Sequence, residues 1–162
     1  MKPTVLVVDD NPANVQVLEG ILAAAGFRIL PALNGESALR AAQMTQPDAV
    51  LLDVRMPGLD GYEVCRRLKA IATLADVPVI FLSALHEVED KVEAFRAGGV
   101  DYITKPFQAE EVLTRVRTHV ELSRSRRMLA ETNARLEELV AARTAELSAA
   151  NARLSYMGRS QI

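Results

Sequence analysis

Five polar side chains follow short apolar stretches of this sequence, at places where a strand would end. They are Asp9, Asp10, Asp53, Ser83 and Lys105. Three carboxylates held close together repel one another and need a cation, and an all-oxygen donor set suits a hard divalent ion such as Mg2+. A carboxylate can also accept a phosphoryl group, whose oxygens a lysine ammonium and a hydroxyl can bind. These residue types predict a magnesium-dependent phosphoryl-acceptor site.

Asp53 is the candidate nucleophile of that site. The unbroken apolar run of residues 49–52 brings it to the start of a loop rich in proline and glycine. Each of the five side chains, taken alone, is more often a helix cap or a surface residue. Their shared position at the ends of alternate strands favours a common site instead.

The element pattern supports this interpretation. Apolar runs without alternation are typical of strands covered on both faces. Strands are predicted at 4–8, 27–32, 48–52, 77–82 and 100–103, and helices at 12–25, 35–45, 62–74 and 86–97. Strands that alternate with helices form a parallel sheet with helices on both faces. Its reactive crevice lies at the carboxyl ends of the strands, so the five side chains should converge there.

Two helices allow more detailed predictions. Asn11, followed by proline, is typical of the N-cap of the first helix. In the helix at 86–97, helical spacing predicts that Val88, Val92 and Phe95 face the sheet.

Composition limits the class of protein. A chain of 162 residues with 49% apolar and 25% charged residues fits one globular domain with an extension. A net charge of −2 argues against general nucleic-acid binding. The single cysteine, Cys65, cannot form an intrachain disulfide, and we find no signal-peptide core or membrane-spanning run. We therefore expect a cytoplasmic protein without membrane contact.

The extension is predicted to be a long helix, because residues 107–157 contain neither proline nor glycine. From His119 onward, a heptad pattern places apolar residues at eight of twelve a and d positions, which predicts a coiled coil. The seam contains Leu122, Leu129, Asn133, Leu136, Val140, Leu147 and Leu154. An asparagine at an a position favours two parallel strands, so we expect a parallel homodimer. Arg126 and Arg143 weaken the seam, and a single solvated helix or one folded back on its own domain are the alternatives.

Four motifs together resemble one known family. Residues 7–11, 51–61, 82–84 and 101–107 are similar to the motifs of receiver domains of two-component response regulators, in the same order, and the resemblance covers about residues 3–120. The fold that it implies is flavodoxin-like, a doubly wound five-stranded parallel sheet of order 2-1-3-4-5.

The resemblance also implies roles for the acidic residues. Asp53 would be the phosphoacceptor, Asp10 the main magnesium ligand with Asp9 assisting, and the backbone carbonyl of Arg55 a further ligand. The phosphodonor would be a histidine kinase or a phosphotransfer protein.

The other motifs correspond to the switch. Ser83 would be the switch hydroxyl, Tyr102 the switch aromatic, and Lys105 the lysine that pairs with the phosphoryl group. The resemblance also implies a cis Lys105–Pro106 bond, which would aim the lysine inward. A new phosphoryl group would draw the hydroxyl toward it and leave space for the aromatic ring. Leu85 cannot orient an attacking water, so we expect slow self-dephosphorylation. We expect no enzymatic activity beyond self-phosphorylation and this slow reaction.

The domain organisation follows from these patterns, with a receiver at 1–118 and a dimerisation and signalling helix at 119–162. Residues 136–147 resemble the signalling helices that join receivers to output domains. Either a C-terminal output domain follows in a longer protein, or the chain is a short regulator that acts through its coil.

Three other function classes fit less well. An aspartyl-phosphate phosphohydrolase would place a second acid two residues after its nucleophile, where this chain has Arg55. A dinucleotide-binding enzyme would need glycines where the sequence has acids after the first strand. A purely structural dimerisation module would leave the acidic residues without a role.

Overall fold

The computed structural model describes residues 2–84 and 91–160, without the side chains of residues 91 and 153–160. Five strands form one parallel sheet, namely β1 (Thr4–Val8), β2 (Arg28–Ala32), β3 (Ala49–Asp53), β4 (Val79–Ser83) and β5 (Asp101–Thr104). The strand order is β2-β1-β3-β4-β5, so the predicted doubly wound, flavodoxin-like topology is confirmed. The order reverses between β1 and β3, where the crevice of such a sheet lies.

The helices of the described residues are α1 (Pro12–Ala24), α2 (Gly35–Thr45), α3 (Gly61–Ala70), α4 (Lys91–Arg96) and α5 (Ala109–Ser160). Asn11 caps α1 as predicted, because its side chain accepts the Ala13 N–H at 3.0 Å. The third helix is shorter than expected, since Ile71 is extended and a 3-10 turn at Ala72–Leu74 follows.

Alternate residues of the strands supply two buried clusters, one on each face of the sheet. Val5, Val7 and Leu51 pack with apolar residues of α1 and α5. Leu6 and Leu52 pack on the other face with residues of α2, α3 and α4. The central strands are therefore buried on both sides, as their unbroken apolar sequence predicts.

The prediction that α4 buries Val92 and Phe95 is wrong. These side chains are 58% and 55% exposed, while Ala94 and Ala97 are buried instead. The small alanines share a cluster with Phe81, whose ring also fills the space beside the next loop so closely that a Cβ at Gly99 would overlap it. Val88, the third residue predicted to face the sheet, lies outside the described residues.

The chain divides into two compact units, residues 1–123 and 124–162. In the first unit, α5 packs on the sheet through Val112, Val116 and Val120. The described part of the second unit is helical, and the helix continues through Gly158 to Ser160. Across the described residues, none of the helices combines the length and apolarity needed to span a membrane.

Candidate functional site

A cleft of about 320 Å³ lies at the carboxyl ends of the strands. The described residues that line it are Asp9, Asp10, Asn11, Asn14, Asp53, Arg55, Ala84 and Lys105. The structure thus brings together four of the five polar side chains that follow the strands. The fifth, Ser83, ends β4 beside the cleft but is not among these lining residues.

Asp9 is the most deeply buried of the carboxylates, with no exposed surface. Its Oδ1 accepts the Asn11 N–H at 2.9 Å, and its Oδ2 accepts the side-chain amide of Asn14 at 3.1 Å. The Lys105 Nζ lies 3.5 Å from the same Oδ2. These donors offset the cost of burying the charge.

Asp53 is the last residue of β3 and is only 5% exposed. Its Oδ1 lies 3.2 Å from the Lys105 Nζ and 3.4 Å from the Arg55 backbone nitrogen, which donates a hydrogen bond to it. Burial is the main cause that raises the pKa of Asp53 to about 7, and the nearby Asp9 charge raises it further, against the opposing effect of Lys105. A cation in the cleft would favour the ionised form.

Lys105 reaches both carboxylates from the loop that follows β5. Its backbone N–H donates to the Ser83 carbonyl at 2.8 Å, which ties that loop to the end of β4. The Lys105–Pro106 peptide bond is cis, as the family resemblance implies. One ammonium therefore serves two buried carboxylates.

The donor set of the cleft fits a hard cation. Asp9, Asp10 and Asp53 each offer one carboxylate oxygen, and these oxygens lie within 4.8 Å of one another. Asp10 is exposed and Asp53 is buried, so the group faces solvent on one side. Oxygen ligands, a high negative charge and an open side are what Mg2+ sites in proteins provide.

The raised pKa of Asp53 predicts a pH-dependent stability in the metal-free protein. A carboxyl that binds its proton more tightly in the folded chain stabilises the fold at low pH, and this stabilisation is lost as the pH rises through about 7. We expect Asp53→Asn to raise the Tm by about 5 °C at pH 8 and to change it little at pH 4. Circular dichroism can monitor thermal unfolding of both proteins in the presence of a chelator and would give the difference in Tm at each pH. A variant that loses stability relative to the wild type as the pH rises would contradict it.

Tyr102, the predicted switch aromatic, lies half-buried on β5 and packs against the cluster that contains Phe81. The Arg115 guanidinium of α5 lies 5.9 Å from the centre of its ring. Arg115 also donates to both carboxylate oxygens of Asp101 at 2.8 Å, and His119 Nε2 lies 3.0 Å from one of them. Burial alone would raise the pKa of Asp101, but the hydrogen bonds from Arg115 and His119 outweigh it and lower that pKa.

Sequence reasoning missed Asn14 and the cluster around Asp101. The heptad pattern placed His119 at the first a position, whereas the structure places it against β5 in the first unit. The only sequence signal for Asn14 was that it follows Asp10 by four residues, about one helical turn. No signal along the chain links Asp101 to Arg115 or His119.

The predicted seam residues lie on exposed helix. Leu122, Leu129, Leu136, Val140 and Leu147 are 45–64% exposed, and Asn133 is exposed as well. The side chain of Leu154 lies outside the described residues.

A doubly wound sheet with an acidic cleft at its topological switch point defines the class of this protein. The family described as the response regulator receiver domain matches residues 5–117, which is more than half of the chain. The chain belongs to this family, and the resemblance seen in its motifs is confirmed.

Individual relatives agree with that assignment. The chain is 41% identical over 115 residues to the DNA-binding dual master transcriptional regulator RpaA of Synechocystis, an alignment that covers 71% of this chain and 48% of RpaA. It is 37% identical over 158 residues to the response regulator PleD of Caulobacter vibrioides, covering 98% of this chain and 34% of PleD. The chain thus spans about half or less of the length of these relatives.

A solved structure of a receiver domain is also similar. The receiver domain of the sensor histidine kinase PA1611 from Pseudomonas aeruginosa, with a magnesium ion coordinated in its active-site cleft, is 34% identical and has a TM-score of 0.70. The match covers 75% of this chain and 99% of that one.

Proposed function

We propose that this protein accepts a phosphoryl group on Asp53 in a magnesium-dependent reaction and relays the phosphorylated state through α5. The observation that carries the proposal is the convergence of three carboxylates with one lysine in a single cleft. The bound magnesium ion of the PA1611 receiver supports the choice of metal. A histidine kinase or phosphotransfer protein is the proposed donor, which follows from the family of this chain.

Asp9, Asp10, Asp53 and the backbone carbonyl of Arg55 would hold the metal. Bound Mg2+ supplies positive charge that offsets both the carboxylates and the phosphoryl oxygens. An oxygen of Asp53 attacks the phosphorus in line, forms an O–P bond, and the phosphorus–nitrogen bond to the donor imidazole breaks. The departing imidazole keeps the electron pair of that bond and takes a proton from solvent water.

Lys105 has the second charged role in this step. Its ammonium lies 3.2 Å from Asp53 in the structure, within reach of a group attached there. By moving from the carboxylates to the phosphoryl oxygens, it would stabilise the charge that the new group brings.

The switch would follow from phosphorylation of Asp53. The Ser83 hydroxyl would turn toward the phosphoryl group, and Tyr102 would rotate into the space left behind. Leu85, on which slow self-dephosphorylation depends, lies outside the described residues. We therefore propose a long-lived phosphorylated state from its sequence alone.

The proposal is tested by incubating the purified chain with acetyl phosphate and Mg2+. We expect intact-mass spectrometry to record the gain of one phosphoryl group, and a chelator to prevent it. An aspartyl-phosphate phosphohydrolase would instead release inorganic phosphate over many turnovers without accumulating the adduct. If the chain shows no adduct and releases no phosphate, the proposal is contradicted.

Residues 119–162 are proposed to form a dimerisation and signalling helix. The exposure of five apolar seam residues in the single chain supports a partner helix, because apolar surface of this extent is costly in water. Asn133 favours a parallel pair in one register. The helix would pass the receiver state to an output domain or to a partner chain.

Removal of the coil is expected to abolish the dimer. We predict that a chain of residues 1–123 is monomeric at concentrations where the full chain is dimeric, because the seam is absent. Multi-angle light scattering would measure both masses. In the full chain, Leu136→Asp at a d position should dissociate the dimer, whereas Ala145→Asp at an outward f position should not. A dimeric 1–123 chain would show that another surface holds the pair.

A further inference from the structure

The cleft contains an asparagine that no motif assigns. Asn14 lies in the first turn of α1, half-buried, and lines the cleft with the carboxylates. Its side-chain amide donates to Asp9 Oδ2 at 3.1 Å. Its backbone N–H donates to the Asn11 carbonyl at 3.1 Å, so the helix start fixes the position from which the amide reaches Asp9.

Asp9 depends on few donors. Oδ1 is bound by the Asn11 N–H, and Oδ2 is shared between the Asn14 amide and the more distant Lys105 ammonium at 3.5 Å. Lys105 lies closer to Asp53 than to Asp9. A buried carboxylate that loses a charged donor must keep other partners or rotate toward solvent. Among the described residues, Asn14 is the side-chain hydrogen-bond donor to Asp9 that remains when the ammonium moves away.

We propose that Asn14 is a positioning residue that holds the Asp9 carboxylate in place for the metal independently of Lys105. This proposal rests on the proposed function, because that function requires Lys105 to move to the phosphoryl group. A neutral amide suits the role, since it orients an oxygen of Asp9 without adding a charge that would compete with a cation. Asn14 acts on Asp9 and need not bind the metal itself.

The test measures the affinity of the chain for Mn2+, a paramagnetic ion that can replace Mg2+. Partners that orient metal ligands typically contribute about 10–100-fold to metal affinity, so Asn14→Ala should raise the Mn2+ Kd by about tenfold or more. Gln16→Ala is the matched control, because Gln16 is an exposed amide on the same helix and lies outside the cleft lining. It should leave the Kd within about twofold of the wild type. Free Mn2+ measured by electron paramagnetic resonance gives each Kd without any turnover.

A second variant separates positioning from folding. Asn14→Leu keeps the branched shape of the side chain but replaces the amide by methyl groups that leave no space for a substituting water, so it should weaken Mn2+ binding at least as much as Asn14→Ala. Both variants are compared below their own Tm, established by circular dichroism. In the acetyl phosphate reaction, the Mg2+ concentration for half-maximal rate should rise about tenfold while the rate at saturating Mg2+ falls much less.

Each outcome decides between the two proposals. If the wild type binds Mn2+ and both Asn14 variants have the same Kd, the role of Asn14 is overturned and the proposed function stays intact. An equal loss in Gln16→Ala also overturns it, since the effect would then belong to the helix. A wild-type chain that binds no Mn2+ overturns both proposals.

Discussion

Asp53→Asn is expected to abolish uptake of a phosphoryl group from acetyl phosphate. The amide that replaces the carboxylate is a poor nucleophile, and the change removes the charge of one of the three carboxylates whose oxygens lie within 4.8 Å of one another. Intact-mass spectrometry should record no adduct under conditions where the wild type is modified. If the Tm of the variant at pH 8 is at least as high as that of the wild type, the loss of phosphorylation cannot arise from unfolding.

Asp60→Asn is the matched control for this experiment. Asp60 undergoes the same chemical change at the far end of the loop that follows β3, but it caps α3, where its Oδ1 accepts the Glu63 N–H at 2.9 Å. Asparagine caps a helix as well as aspartate does, so this variant should be phosphorylated like the wild type. Persistent labelling of Asp53→Asn would place the acceptor elsewhere and contradict the proposed function.

Among the glycines that the structure describes, Gly61 is the one at which substitution by alanine is expected to lower the stability most. A Cβ at Gly61 would overlap the carbonyl oxygen of Asp53 and lie 2.9 Å from the Cα of Val54. These are backbone atoms of the strand end, and the Gly61 N–H also donates to the Val54 carbonyl at 2.9 Å. The start of α3 would have to move away from β3, at a cost of about 3 kcal/mol in the free energy of unfolding.

Denaturation in urea would measure that loss. Gly20→Ala is the control, because Gly20 lies on α1 with open space around the new Cβ. An alanine in a helix interior should stabilise the fold by about 0.5–1 kcal/mol. We also expect Gly61→Ala to weaken Mn2+ binding, since the displaced loop carries Arg55. A variant as stable as the wild type would show that the loop yields easily.

The strand ends were predictable because their signal is local. Unbroken apolar runs of strand length identify strands buried on both faces, and parallel strands present their carboxyl ends at one edge. The sequence therefore predicted that Asp9, Asp10, Asp53 and Lys105 would lie together, and the structure places them around one cleft. The N-cap at Asn11 was predictable for the same reason, since it depends on two neighbouring residues.

The face that α4 buries was not predictable in this way. Helical spacing identifies a stripe of large apolar residues, but Val92 and Phe95 are exposed because the bulky Phe81 ring of the sheet leaves room only for small side chains. Which stripe packs depends on the volume of residues that are distant in sequence. The exposed pair on α4 follows from the packing of β4.

The sequence by itself determined the element order, the topology and the acidic residues at the strand ends, because apolar periodicity and strand direction are properties of contiguous residues. Only the tertiary structure decided which polar groups meet across elements. Asn14 binds Asp9 across a helix start, and Arg115 and His119 bind Asp101 from one face of α5. Such pairs depend on the angle and distance at which a helix packs on the sheet, which no local pattern encodes.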